Sequence, residues 1–256
     1  MERLRKKLSN LHRDWGLVGL KGGTEVEDMS FEEIAFLKAL GYPLLPLTVK
    51  IGGPEARNDI RAMKALGADC ILAPMVESDY ALKNFVEAVL NIYGDDETPR
   101  LAINIETVTA FNNLDAITGS EYFRRIHQVT VGRSDLSASM GRAPDDDEVL
   151  RIIEAIIRWS EGLGKKTSVG GTITSANAEL VRAEVRPGMI NTRHMVFDLS
   201  RCHDIAGAVR GGLEFEADLC GALADIEPNK RDVYRTRVVN TRERMNAAEL
   251  YRCAAG

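Results

Sequence analysis

The chain has 256 residues, enough for one large α/β domain or two small ones, with 45 % hydrophobic and 28 % charged residues and a net charge of −5. That mildly acidic balance argues against a nucleic-acid binder, which usually carries a basic face, and no apolar run approaches membrane-spanning length. The basic residues 1–7 are followed by no apolar core or cleavage site, so no secretory signal is expected and the cytoplasm is the expected compartment.

Residues 2–13 read as a helix, after which short β-rich runs alternate with helical patterns. Strands are expected over 15–21, 43–51, 69–75, 100–106, 127–133, 166–171 and 189–197. Helices are expected over 31–40, 54–66, 79–93, 110–118, 145–163 and 175–184. The helix over 145–163 has the plainest pattern, with Val149, Ile152, Ile153, Ile156 and Ile157 forming one apolar stripe. Asp145, Asp146 and Asp147 open it, where the helix dipole favours negative charge, so this acidic run reads as a helix start rather than a metal site. Gly162 and Gly164 end it. Beyond residue 204 the chain reads as helical almost throughout. Its Arg- and Glu-rich segment 228–252 is open to fraying, capping the domain or reaching a neighbouring subunit. Cys70, Cys202, Cys220 and Cys253 are scattered without ligand spacing and read as reduced thiols.

Strand–helix alternation implies a parallel sheet with right-handed crossovers. Seven strands are legible and an eighth is not. The expected α/β fold is therefore a TIM-type (β/α)8 barrel with one strand degenerate, displaced or supplied late. An N-terminal helix over 1–14, a barrel over 15–203 and a C-terminal helical extension over 204–256 make up the expected organisation. A doubly wound open sheet is the alternative, although no GxGxxG follows the first strand.

Function in a barrel sits at the C-terminal ends of the strands. Side-chain alternation sorts the candidates there. Over 100–106, Leu101, Ile103 and Ile105 share the apolar face, which turns Asn104 and Glu106 toward the barrel axis. Over 43–51, Leu45, Leu47, Val49 and Ile51 face the helices, so Thr48 and Lys50 point inward. Lys21 ends the first strand, ahead of Gly22-Gly23, and Asp135 lies just past the strand over 127–133. Two cations and two carboxylates thus converge on one rim. Taken singly, Asp135 reads as a cap for the short Ser/Ala-rich turn after it and Glu106 as half of a salt bridge. Taken together, the two acids suit a divalent site. Mg²⁺ or Mn²⁺ takes oxygen ligands, keeps waters and uses one or two carboxylates. Such an ion polarises a substrate carbonyl and stabilises an enolate, the chemistry of C–C bonds beside a 2-oxo acid.

Three segments carry a resemblance: Ala73-Pro74-Met75-Val76-Glu77; Asn104-Ile105-Glu106-Thr107 with Asn113-Leu114-Asp115; and Val131-Gly132-Arg133-Ser134-Asp135-Leu136-Ser137-Ala138-Ser139-Met140-Gly141. Through them the chain resembles the HpcH/HpaI aldolase and citrate lyase β-subunit family of the pyruvate/phosphoenolpyruvate barrel superfamily. The resemblance implies that Glu106 and Asp135 bind the metal and that the backbone from Gly132 through Ser134 to Asp135 helps hold a substrate carboxylate. It also implies a homo-oligomer, a trimer or hexamer, whose C-terminal helices contact neighbours. Against the family pattern, Lys50 stands where an arginine orients the oxo acid, and a lysine lacks the guanidinium fork. Glu25 aligns with the glutamate of an Asp-Gly-Glu-His segment, but Val26 takes the place of its histidine base. Arg133 replaces a small or apolar residue, either as an anion clamp or as a pocket filler, and the helix over 2–13 replaces the first strand.

The expected function is a divalent-metal-dependent carbon–carbon lyase or aldolase acting on an acidic 2-oxo acid. Lys50, Arg133 and Glu25 are its expected catalytic residues, and Lys21, Lys50, Gly132, Arg133 and Ser134 bind the substrate. Glu25 and Glu27 are both base candidates, a solvated loop acid being the plainer reading of each. A non-catalytic metabolite-binding relative and a phosphoenolpyruvate-type enzyme are the alternatives. Gly170-Gly171-Thr172 reads equally as a plain turn or an anion-binding loop, His194 as a structural histidine on the last strand, and Glu77 as the start of a helix.

Overall fold

A computed structural model describes residues 1–254, with side chains through residue 245. Eight strands close into a barrel: β1 (Leu17–Gly23), β2 (Leu47–Lys50), β3 (Cys70–Ala73), β4 (Arg100–Ile105), β5 (Ile126–Gly132), β6 (Lys166–Gly170), β7 (Met189–Asn191) and β8 (Met195–Asp198). Strands β1 to β7 run parallel in chain order. The helices are α1 (Glu2–Asp14), α2 (Phe31–Gly41), α3 (Arg57–Leu66), α4 (Asp79–Tyr93), α5 (Val108–Asn112), α6 (Leu114–Gly119), α7 (Arg133–Met140), α8 (Asp147–Gly162), α9 (Ala178–Glu184), α10 (Ile205–Ile226) and α11 (Arg231–Ala254). Among the described residues no helix is long and apolar enough to cross a membrane.

The core lies between sheet and helices. Leu101, Ile103 and Ile105 of β4 are wholly buried there, as are Val149, Ile153, Ile156 and Ile157 of α8. Inside the barrel a small apolar cluster of Cys70, Leu72 and Ala102 is buried, and a polar layer lies beside it. Gln128 Nε2 donates to the Thr130 and Ser168 hydroxyls, each at 3.1 Å, and Thr130 and Ser168 share a hydrogen bond of 2.8 Å. Asn191 Nδ2 donates to the same Ser168 Oγ at 3.1 Å. This layer forms the floor beneath the C-terminal mouth.

The eighth strand comes late and runs backwards. Residues 189–197, expected as one strand, form the hairpin β7–β8, and β8 lies antiparallel to both β7 and β1. Thr192, Arg193 and His194 are its turn, not strand residues. They lack the glycine or proline that normally marks a turn. A carboxylate from another element supplies the missing stabilisation: Glu216 Oε1 on α10 accepts from Thr192 Oγ1 and the His194 backbone N–H, both at 2.6 Å.

Two other expectations change. The helix expected over 110–118 is two short helices parted at Asn113, and the Ser/Ala-rich turn after Gly132 is the helix α7. Asp146 caps α8, accepting from the Glu148 N–H at 2.9 Å, in keeping with an acidic helix start. Cys70, Cys202 and Cys220 are buried and free; the side chain of Cys253 lies outside the described residues.

Because β8 returns the chain to the N-terminal end of the barrel, α10 starts there. Its 22 residues span about 33 Å at 1.5 Å each, which carries the chain back to the mouth, and α11 lies across it. Tyr234 Oη donates to buried Glu33, Arg237 Nη1 to the Glu27 carbonyl at 2.9 Å, and Arg244 Nη2 to the Ile173 carbonyl at 2.7 Å. Through Tyr234, Arg237 and Arg244 the described part of the 228–252 segment covers the mouth of the barrel.

Candidate active site

Register brings the two acids to one level. Asn104 pairs with Thr130 and Ile105 with Val131, so Glu106 and Gly132 leave adjacent strands side by side. Glu106 is 1 % exposed. Its Oε1 accepts from the Met75 N–H at 3.0 Å and its Oε2 from Asn104 Nδ2 at 2.7 Å. Met75 adopts a left-handed φ of 51° to present that N–H, a conformation costly for a residue with a side chain and common where function over-determines the backbone. Glu77, just ahead of the α4 N-cap Ser78, accepts from Thr107 Oγ1 at 2.5 Å and so braces the loops after β3 and β4 against each other.

Asp135 stands in the first turn of α7, whose N-cap, Gly132, offers no side-chain capping bond. Asp135 lines a cavity of about 290 Å³ together with Glu106. Gly132 makes the space between them. A Cβ there would stand 2.6 Å from Glu106 Oε2 and 3.5 Å from Asp135 Oδ2. The two carboxylates form an all-oxygen cradle that a hard divalent cation fits. Among the described residues no group of three or more His, Cys, Asp or Glu is placed to hold a metal. Two carboxylates leave the other positions to water and substrate oxygens, as Mg²⁺ usually has it.

Burial pushes the Glu106 carboxyl up, and Asp135 adds to the shift, against the pull of Lys50 and the Met75 N–H. Lys50, 5 % exposed, lies 3.6 Å from Glu106 Oε2 and 2.6 Å from Glu25 Oε2. Burial opposes its charge, but Glu106 and Glu25 outweigh burial and raise its pKa. Lys21 reaches Glu27 Oε1 at 3.7 Å. Burial would raise Glu27, yet Lys21 and His194 lead the charges that hold it low. Neither Glu25 nor Glu27 is a solvated loop acid. Val26 lines the mouth at 60 % exposure and provides no base.

Gly132 and Ser134 also line the cavity. Gly171, with φ +87°, packs so close to α7 that a Cβ would stand 2.6 Å from Ser134 N and 3.0 Å from Arg133 N. Lacking one, it leaves room beside the Ser134 N–H at the start of α7, where Ser134 lines the cavity. The Arg133 side chain is placed elsewhere, a correction to its expected substrate contact. It is fully buried, with Nη1 2.8 Å from Asp145 Oδ1 and Nη2 donating to Thr172 Oγ1 at 3.2 Å. The helix begins at Arg133, so its side chain follows α7 rather than strand parity and turns off the cavity. His194 is buried, its Nδ1 3.0 Å from the Lys21 carbonyl, which is a structural placement.

Alternation did not reveal three further lining residues, Asn191, Arg193 and Arg244. The first two sit at the hairpin misread as a strand, and Arg244 is one of many arginines on a helix whose docking the sequence leaves open. A larger cavity of about 590 Å³ opens at the opposite end of the barrel, around Thr48, Cys70, Arg100 and Gln128. Asp198 is the one acid in its lining, so it offers no carboxylate pair.

Residues 48–184 match the family model described as HpcH/HpaI aldolase/citrate lyase. Among solved structures, the HpcH/HpaI aldolase from Desulfitobacterium hafniense DCB-2 is similar at 17 % identity and a TM-score of 0.56, covering 74 % of this chain and 89 % of that one. Citrate synthase SbnG is similar at 18 % identity and 0.55, with the same two coverages of 74 % and 89 %. An HpcH/HpaI aldolase/citrate lyase family protein from Burkholderia cenocepacia J2315 is similar at 15 % identity and 0.55, covering 75 % and 92 %. At these identities the likeness is one of fold. No curated protein matches the chain.

Proposed function

The chain belongs to the HpcH/HpaI aldolase/citrate lyase family, and from that premise we propose that it is a divalent-metal-dependent carbon–carbon lyase or aldolase acting on an acidic 2-oxo acid. The observation that carries the reading is the facing of Glu106 and Asp135 across Gly132, beside Lys50. Mg²⁺ or Mn²⁺ held there supplies a Lewis acid for the substrate's 2-oxo oxygen and for the charge that develops as the C–C bond breaks. Ser134, which lines the cavity at the start of α7, holds the substrate carboxylate through its N–H at the positive end of that helix. Lys50 stays protonated between Glu25 and Glu106, so it acts as a positioned cation and not as a base. Glu25 Oε2 lies against Lys50 Nζ at 2.6 Å behind the cavity lining, and Glu27 is the base candidate that lines the cavity itself. Lys21 completes the cationic side of the mouth. Arg133 serves from outside the cavity, fixing the start of α7 through Asp145 and Thr172.

Mn²⁺ titration by calorimetry or electron paramagnetic resonance tests this. The expected result is one site in the wild type, lost in Glu106→Gln and in Asp135→Asn, with metal-stimulated exchange of pyruvate methyl protons for deuterium. Wild-type Mn²⁺ binding in both variants would sink the metal assignment. Metal binding without any exchange would favour the non-catalytic reading.

A further inference from the structure

The charges on the two sides of the cavity are not balanced alike. On the floor and near wall each cation has its acid: Lys21 has Glu27, and Lys50 has Glu25 and Glu106. Arg193, at the β7–β8 turn, and Arg244, reaching down from α11, line the same cavity, and neither forms an ion pair among the described residues. The hydrogen bond given for Arg244 goes to a neutral acceptor, the Ile173 carbonyl. Glu216 is close enough to act on Arg244, but its Oε1 already takes the Thr192 hydroxyl and the His194 N–H. Burial, and the like charge of Arg193, push the Arg244 guanidinium below its ordinary value. A guanidinium nevertheless keeps its proton in a protein. Two partly buried guanidinium groups that face one cavity and repel each other are relieved when an anion enters between them.

We infer that Arg193 and Arg244 form an anion subsite for a second acidic group of the substrate, separate from the carboxylate and oxo group held at Glu106, Asp135 and the start of α7. The inference rests on the function proposed above for that other half. A cavity of about 290 Å³ limits the ligand to a compact dicarboxylic 2-oxo acid. The planar fork of each arginine matches a carboxylate, whereas the lysine at position 50 is a point charge. α11 would then do more than cover the mouth: it brings a group that touches the substrate and selects for its length and charge.

The test measures the affinity of the full chain for Mn²⁺ alone, and then for pyruvate and for 2-oxoglutarate, each with and without Mn²⁺. Wild type, Arg244→Ala, Arg244→Lys and Arg193→Ala are compared. The wild type should bind 2-oxoglutarate at least tenfold more tightly than pyruvate. Arg244→Ala should remove most of that preference while leaving pyruvate and Mn²⁺ affinities within about twofold, with Arg193→Ala acting in the same direction. Arg244→Lys keeps the charge and should restore part of the preference, which a merely structural role of Arg244 does not explain. The inference is overturned if the wild type shows no preference for the dicarboxylate, or if Arg244→Ala weakens both ligands equally. Failure of the wild type to bind Mn²⁺ counts against the metal reading instead; the metal-free preference for 2-oxoglutarate still decides the subsite.

Discussion

Gly132 matters because nothing projects from its α-carbon into the gap between Glu106 and Asp135. In Gly132→Ala the new methyl would stand 2.6 Å from Glu106 Oε2, so the carboxylate must swing away from Asp135. We expect at least a tenfold loss of Mn²⁺ affinity with little change in melting temperature, read by calorimetry and thermal denaturation. An unchanged affinity would show that the carboxylate can move aside without cost. Lys50 is the complementary case. Lys50→Met keeps much of the volume but leaves Glu106 and Glu25 without their cation. Breaking a buried pair this way costs about 3 kcal/mol, measurable by urea unfolding of the metal-free protein. Mn²⁺ should recover part of the loss by supplying positive charge at the same carboxylates. Glu27 sets a pH dependence. Its folded pKa lies below the unfolded value of about 4.3, so its contribution is present above that pH and fades as pH falls through the folded value. Glu27→Gln should flatten the acid side of the stability curve; a slope equal to wild type would mean that Lys21 does not hold the charge. Of these side chains, Glu106 and Lys50 were legible from strand alternation alone. Arg133 was not, because alternation ends where the strand turns into a helix.

The sheet shows the same limit at the level of elements. Seven strands announce themselves through apolar runs bounded by turn residues, and the long stripe of α8 is plain in the sequence. Over 189–197 the apolar Met189-Ile190 and Met195-Val196-Phe197 flank four polar residues without a glycine or proline, and β7 and β8, at 3 and 4 residues, are too short to read as separate strands. What bends the chain is Glu216, some twenty positions downstream, and no local pattern carries that information. The hairpin's dependence on a remote carboxylate gives a sharp expectation. Glu216→Ala leaves the Thr192 hydroxyl and the His194 N–H without their acceptor in a buried place, at about 1–3 kcal/mol each. It should lower the melting temperature more than removing an exposed carboxylate does. Amide exchange should rise first in β7, β8 and the adjoining edge of β1, where the barrel closes. Uniform exchange across all strands would mean that the turn is held by something other than Glu216.

For the whole molecule, the reversed β8 decides where the C-terminal half goes. A regular eighth unit would leave the chain at the barrel's N-terminal end after its last helix. Here β8 itself makes that descent, so α10 climbs back and α11 is delivered to the mouth. The cap is tied to the barrel through loop carbonyls of Glu27 and Ile173 and through Glu33 on α2, with Tyr234 as its buried anchor. Burial and the Glu33 carboxylate push the Tyr234 phenol far up, so it stays protonated and donates to Glu33, which is wholly buried. Glu33 also accepts the Ser30 N–H at 2.7 Å as part of the α2 capping box, and Lys230 Nζ lies 3.3 Å away. In Tyr234→Phe the carboxylate keeps those two partners and loses the third. The cost should be about 1–2 kcal/mol, felt mainly by α11, because the closed sheet keeps its own hydrogen bonds and core. Hydrogen exchange should therefore quicken along α11 while the strands keep wild-type protection and Mn²⁺ affinity is unchanged. If the strands loosen together with α11, cap and barrel are one cooperative unit, and α11 cannot open for substrate without weakening the fold beneath it.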